Sequence, residues 1–498
     1  MGLTGGEISV VAAHESVHGG AIGYRGPQRL SRTLHGMEDE LTTIRDADDR
    51  AQAYLAGIGD RPVYPPQSAI DALALLDEGL PDRGLGATST IALMDRVGSA
   101  AVVESNGARY FGFVTGATLP VAAAADRLAL SWDNSASTEM GSPGTAAFER
   151  VAGQWVLEAL DLPRESAVGF TTSAAAGTIV ALSTARRALY ARQGWDVDRA
   201  GVFGAPRIRV VAGELSHVVV IKALRVLGFG LDCVEWAPVG AWGRIDPDRL
   251  PQLDSSTILI LQAGEVNTGE FDRFDELIAR AAEAGSWVHV DGAFGLWARA
   301  SKHRDLTKGV DQADSWTVDG HKWLNTPYDS AMVIVRDADG VTETMQSDAA
   351  YSMSASGAQK NLTLEFSRRA RGIPIWATLR ALGRDGVAEL IERTVEYAQS
   401  VADGLRAAGY EVLNRVVLNQ VLVTTDNPAE TERIIREAQE SGDTWFGRTT
   451  WQGRTAFRIS VSSWRTSQGE IDALIELLRV LRYQPTAPNG AESGPAHG

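Results

Sequence analysis

The chain has 498 residues and a formal net charge of −16, from 47 Lys and Arg against 63 Asp and Glu. A balance this acidic repels polyanions and offers no basic tract to a phosphate backbone, which argues against nucleic acid as a partner. Cys233 is the only cysteine, so no internal disulfide can form, and the opening MGLTGGEISVVAAHE lacks a basic start and a continuous apolar run; a cytoplasmic protein is expected, and no apolar run approaches the ~20 residues of a membrane helix.

At ~100 to 200 residues per domain the length allows two to four domains. Residues 1–118 carry helix-forming runs broken by glycine, AIDALALLDEGL (69–80) among them, and are expected to form an N-terminal helical segment that packs on the body or on a second copy of the chain. Residues 119–379 alternate apolar helices with short β-branched strands such as STILILQ (256–262), SWVHVDGA (286–293), DSWTV (314–318) and SAMVIV (330–335). That order predicts a large α/β domain with a parallel sheet covered by helices. Between the first two strands, Phe274, Leu277, Ile278 and Ala281 fall on one face of a helix that Gly285 stops. From 380 to 484 a long helix, EVLNRVVLNQVLVTT, a helix around 428–441 and AFRISVSSW predict a smaller α+β domain. The Pro-, Gly- and Ala-rich residues 485–498 are expected to be disordered.

Within the large domain, four pieces bear chemistry. In GFTTSAAAGTIVALSTARRAL (169–189) a polar turn ending in Ser173 feeds an apolar helix whose first residues are small, so its free N–H groups can face a phosphate. His217 opens the apolar run HVVVIKAL. His289 and Asp291 share a strand face, with Asp291 at the carboxyl end, where open α/β sheets bind ligands. Lys322, in VDGHKWLN, comes after the next strand. Taken singly these read as an N-capped core helix, a polar ring, a helix cap beside a core histidine, and a surface charge. Taken together, a phosphate cradle, an aromatic histidine, an acid and a lysine are the set that pyridoxal phosphate requires, and no metal enters it.

The run HVDGAFG…ADSWTVDGHKWLN, with RYFGFVTGATLP (109–120), SPGTAAFERVAGQWVLEALDLP (142–163), TSAAAGTIVAL, SHVVVIKA, QAGEVNTGEFD (262–272) and FRISVSSW (457–464), resembles the group II pyridoxal-phosphate-dependent amino acid decarboxylases over residues of about 109 to 470. The resemblance implies the type I fold of aspartate aminotransferase: a large, mostly parallel sheet domain with helices on both faces and a smaller C-terminal α+β domain, in a homodimer. It implies pyridoxal 5'-phosphate bonded to Lys322, with His321 reaching toward the phosphate, Asp291 at the pyridine nitrogen, Ala293 under the ring and His217 on its other face. Ser173, Ala174 and Ala175 would surround the phosphate, Thr115 would lie near the substrate, Arg458 would bind the substrate carboxylate, and Tyr351, on a mobile loop, would return a proton.

The chain departs from the family pattern at Ala175, where a second hydroxyl is common, at Val266 in place of threonine, at Gly107–Ala108 in place of His-Pro, and at Asp319 in place of asparagine. A carboxylate beside a phosphate is electrostatically unfavourable, so Asp319 is expected either to face away or to be offset by a partner. The favoured reaction is decarboxylation of an L-amino acid to its amine. Transamination, aldol-type cleavage and oxidative deamination are the alternatives at the same cofactor, and a non-catalytic cofactor-binding protein is the third reading. Phe111, Phe113 and Trp132 hint at an aromatic-lined pocket.

Overall fold

In the computed structural model, which describes residues 40–347 and 357–483, the β-branched runs assemble into one seven-stranded sheet. Its strands are β1 (Ala167–Thr171), β2 (Arg209–Gly213), β3 (Val234–Ala237), β4 (Thr257–Gln262), β5 (Trp287–Asp291), β6 (Ser315–Asp319) and β7 (Ala331–Val335), in the spatial order β1-β7-β6-β5-β4-β2-β3. The β3–β2–β4–β5–β6 stretch is parallel, whereas β7 runs antiparallel to β6 and β1. Residues 258–261 of β4 and all of β5 are buried, as expected for central parallel strands covered on both faces.

The helix Phe274–Ala284 joins β4 to β5 and buries Phe274, Leu277, Ile278 and Ala281; Gly285, at φ 72°, ends it by donating its N–H to the Ala281 and Ala282 carbonyls. The helix Ala174–Arg192 comes after β1 and buries residues on every side of its first three turns. A helix apolar all round belongs between layers. In the parallel stretch the strand ends share one edge of the sheet, and β4, β5 and β6 end side by side on Gln262, Asp291 and Asp319.

A second, antiparallel sheet has the order β10-β11-β9-β8, from β8 (Glu411–Val412), β9 (Gln420–Thr424), β10 (Gly447–Trp451) and β11 (Arg454–Ser460). The helix Gly372–Ala407 leads into it and breaks at Gly383, whose φ of 63° and ψ of −171° are not helical. The helices Pro428–Glu440 and Gln468–Tyr483 cover this sheet around Phe446, Phe457, Ile459 and Leu478.

Residues 40–56 and 71–101 form a separate compact unit, with Arg50 held by Asp46 and Asp95 at 3.1 and 3.0 Å. AIDALALLDEGL (69–80) begins in a short α-helix (Gln67–Asp71) and continues as a 3-10 turn (Ala72–Leu76), and Leu75, Leu76, Leu80, Leu85 and Met94 are exposed. Residues 57–70 and 102–118 belong to the larger unit: the Phe111 N–H donates to the Trp445 carbonyl at 2.8 Å and the Tyr110 ring stacks on Trp445. No described helix is long and apolar enough to cross a membrane. Tyr351 and the tail 485–498 lie outside the described residues.

Candidate active site

Lys322 sits in a turn that the chain holds from several sides. The Gly320 and His321 N–H groups donate to the Ser330 carbonyl at 3.0 and 3.1 Å, which folds the segment after β6 back toward β7. Trp323 is buried and donates to Thr394 Oγ1 at 2.9 Å. Asn325, at φ 58°, donates from Nδ2 to the Trp323 and Ser462 carbonyls and accepts the Trp464 N–H at 2.9 Å. Gly116 approaches so closely that a Cβ there would lie 2.0 Å from the Lys322 carbonyl oxygen. The backbone is thus pinned, and the lysine side chain, 21% exposed, is held by a single ion pair to Asp319.

Asp291 ends β5 almost wholly buried, and the Ala293 N–H donates to it at 3.3 Å. Burial pushes its carboxyl up, against the pull of the His217 and Lys322 charges. His217 caps the helix Val218–Val226: its Nδ1 accepts the Val219 N–H at 3.4 Å, which leaves Nε2 to carry the proton of the neutral ring. Burial lowers its pKa, with Asp291 opposing. His321 is also pushed down by burial; its ring stacks on Tyr328 with centroids 4.4 Å apart.

At the helix Ala174–Arg192, Ser173 Oγ accepts the Ala176 N–H at 3.3 Å as the N-cap. The Ala174 N–H is taken by Asp319 Oδ1 at 2.8 Å, and Asp319 Oδ2 lies 3.2 Å from Lys322 Nζ and 3.6 Å from His321 Nε2. Asp319 therefore faces the cradle and is offset by a cationic partner. Arg458, on β11, donates from Nη1 to the Val266 carbonyl at 2.7 Å, and its Nε has no hydrogen-bond partner among the described residues.

Ser173, Ala174, Ala175, His217, Asp291, Ala293, Asp319, His321, Lys322 and Arg458 all line one cavity of about 350 Å³ at the carboxyl ends of β4–β6. Thr115 is buried but is not part of the lining; its carbonyl accepts the Ser462 hydroxyl at 3.1 Å. Of the three aromatic hints only Phe113 lines the cavity; Phe111 is in the core of the smaller domain, and Trp132 packs at 6.2 Å on Phe148. His289 stays in the sheet, bonded to Ser315 Oγ at 3.0 Å and pushed down to about 3 by burial. Tyr328, Phe294, Gln262, Val219, Val114 and Gly264 also line the wall without having been singled out from the sequence. Gln262 had a readable signal, as the last residue of a strand beside Asp291. Tyr328 had none, because only the return of the chain to β7 brings it over His321.

Residues 71–424 match the family model described as the pyridoxal-dependent decarboxylase conserved domain. The chain belongs to the pyridoxal-dependent decarboxylase family. It is 23% identical to the aromatic-L-amino-acid decarboxylase of Bacillus atrophaeus over 84% of this chain and 90% of that protein, and 28% identical to tryptophan decarboxylase 1 of Oryza sativa subsp. japonica over 74% and 79%. A 3,4-dihydroxyphenylacetaldehyde synthase of Drosophila melanogaster is 24% identical over 66% and 63%. Among solved structures, Oryza sativa TDC with PLP and tryptamine has the same fold, with a TM-score of 0.81 at 22% identity over 89% of this chain and 97% of that one.

The family's pyridoxal cofactor suits the donor set of this cavity. A helix N-terminus, a carboxylate that burial leaves in need of a cationic partner and a primary amine all face the same cavity. Among the described residues no group of three or more His, Cys, Asp or Glu could hold a metal ion.

Proposed function

We propose that this pyridoxal-dependent decarboxylase removes the α-carboxylate of an L-amino acid as CO2 and releases the amine, with Lys322, Asp291, His217 and the N-terminus of the helix Ala174–Arg192 holding pyridoxal 5'-phosphate. The observation that carries the reading is that these four groups, from four separate parts of the chain, line a single cavity. When bound, the cofactor supplies an electron sink for the pair left on Cα.

Asp291 keeps a proton on the pyridine nitrogen. Its burial favours that role, since a desolvated carboxylate gains most from a cation beside it. His217, a neutral imidazole, and Ala293 would hold the cofactor's ring in the cavity that they line. Ser173, Ala174 and Ala175 hold the phosphate, with His321 beside them. Lys322 would hold the cofactor covalently through its amine, and the same amine would be placed to move a proton at the substrate's Cα. Arg458 has a spare Nε donor and binds the substrate carboxylate. Tyr351, beyond the described residues, is the proposed acid that protonates Cα, and Thr115 supports the substrate end through the wall residue Val114 beside it.

The chain is proposed to act as a homodimer in the cytoplasm. Support for the dimer is the row of exposed Leu75, Leu76, Leu80 and Met94 in the N-terminal unit; an active monomer in sedimentation would remove it. Support for the compartment is the single cysteine, and cell fractionation checks it. An aldehyde-forming oxidative outcome is the second reading, favoured by the likeness to the Drosophila melanogaster synthase. Mass spectrometry of products from aromatic, acidic and diamino acids, under air and under nitrogen, separates the readings. An amine with CO2 in both atmospheres is expected, whereas an aldehyde formed only with oxygen uptake overturns it.

A further inference from the structure

Asp319 is the last residue of β6 and is 2% exposed. Its two oxygens serve different partners: Oδ1 takes the first N–H of the helix Ala174–Arg192, and Oδ2 sits 3.2 Å from Lys322 Nζ. The leading N–H groups of a helix are orphan donors with a partial positive charge, and an anion placed there is stabilised. In this chain they are engaged from within, by Asp319 at Ala174 and by the Ser173 hydroxyl at Ala176. A phosphate entering the cradle would need the N–H that Asp319 holds and would bring roughly −1.5 to −2 charges against a buried carboxylate. It would also draw on Lys322, whose ammonium offsets Asp319 at close range, because that amine is the one the cofactor engages.

Resting on the reading of this cavity as a pyridoxal phosphate site, we propose that Asp319 is an internal counter-anion that competes with the cofactor's phosphate for the N-terminus of the helix Ala174–Arg192. The chain therefore holds the phosphorylated cofactor more loosely than its cradle alone would allow. It also distinguishes less sharply between pyridoxal 5'-phosphate and pyridoxal, so occupancy tracks the supply of cofactor. Asp319 is a positioning residue here: in the cofactor-free chain it keeps Lys322 docked against the helix end, and it yields when phosphate arrives.

The quantity to measure is the ratio of two dissociation constants. Full-length protein stripped of cofactor is titrated with pyridoxal 5'-phosphate and with pyridoxal, binding being read by absorbance and by borohydride fixation of the pyridoxyl group to Lys322. Asp319→Asn keeps the size and the acceptor for the Ala174 N–H but removes the charge. It is expected to tighten pyridoxal 5'-phosphate by about tenfold or more, since like charges in contact are among the costliest arrangements in a buried site. Pyridoxal binding should change by no more than about threefold, because it brings no second anion. Inorganic phosphate should compete more strongly with pyridoxal 5'-phosphate in the variant than in the parent. Asp319→Ser, smaller and also an acceptor, should move the ratio the same way, and it decides the matter if Asp319→Asn does not fold. A ratio unchanged or lowered in the folded variants overturns the proposal and leaves the cofactor reading intact. A parent protein that fixes no pyridoxyl group at Lys322 removes the cofactor reading first, and this proposal with it.

Discussion

The Arg368–Glu149 and Lys322–Asp319 pairs both lie inside the larger unit, yet they are bonded in opposite ways. Glu149 meets Arg368 through two parallel bonds of 2.6 and 2.9 Å and also takes the Gly372 N–H at 3.0 Å, while Arg368 donates further to the Ala136 and Phe170 carbonyls. Both side chains are at most 1% exposed. This guanidinium ties the start of the helix Gly372–Ala407 to β1 and to the helix Pro143–Ala159, and both of its terminal nitrogens are committed. In the second pair a single 3.2 Å contact joins a flexible ammonium to a carboxylate, and both line a cavity. A buried charge whose partners are fixed backbone and a rigid fork serves the fold; one whose partner can swing away has bonding capacity for a ligand.

The contrast breaks most visibly at Arg368. Arg368→Leu leaves Glu149 charged, buried and uncompensated, and should lower stability by about 3–5 kcal/mol, read as a shifted denaturant midpoint at unchanged slope. Adding Glu149→Leu should recover a large part of the loss. In the cavity the same kind of change should cost chemistry and little stability: Asp291→Asn should fold with a near-normal midpoint and keep much of its cofactor, while turnover falls by roughly a hundredfold or more. Equal loss of cofactor and of turnover would instead make Asp291 an anchor.

Arg458 stands between the two cases, since one arm is spent on the Val266 carbonyl and the Nε is spare. Arg458→Lys keeps the charge but not the fork, and KM is expected to rise about tenfold with a smaller change in kcat. A pH-dependent effect belongs to Glu104, which is buried like Glu149 but has Arg109 only at 3.9 Å and no hydrogen bond to Oε2 among the described residues. Burial pushes its carboxyl up to about 7, from 4.5. A group that holds its proton to higher pH in the fold than in the unfolded chain costs stability as pH rises through that window. Glu104→Gln should therefore match the parent near pH 4.5 and be the more stable of the two above pH 7, in thermal melts across that range.

Asp291 and Lys322 were legible because a parallel strand between helices announces itself by an unbroken β-branched run, and residues at or just past its carboxyl end are open to ligands. The cradle was legible from small residues at a helix start. The expectation of a parallel sheet missed the direction of β7, although the link from Asp319 to Ala331 is too short for the crossover a parallel neighbour demands. β10, with GRTTW alternating between half-buried and exposed positions at a sheet edge, carries too little apolar signal to be found. The helical reading of AIDALALLDEGL holds over residues 69–76, whereas the exposure of Leu75, Leu76 and Leu80 could not be read from the pattern, since surface leucines look like core leucines until their neighbours are known. Asp319 could be flagged by its charge, but which way it points depends on Ala174, 145 positions away.

The clasp at Asn325 joins the two sheets through one side chain. It reaches the Ser462 carbonyl and the Trp464 N–H, just past β11, so the turn that presents Lys322 is braced by the segment that leaves the strand carrying Arg458. One amide therefore couples the backbone of the lysine to the strand of the arginine.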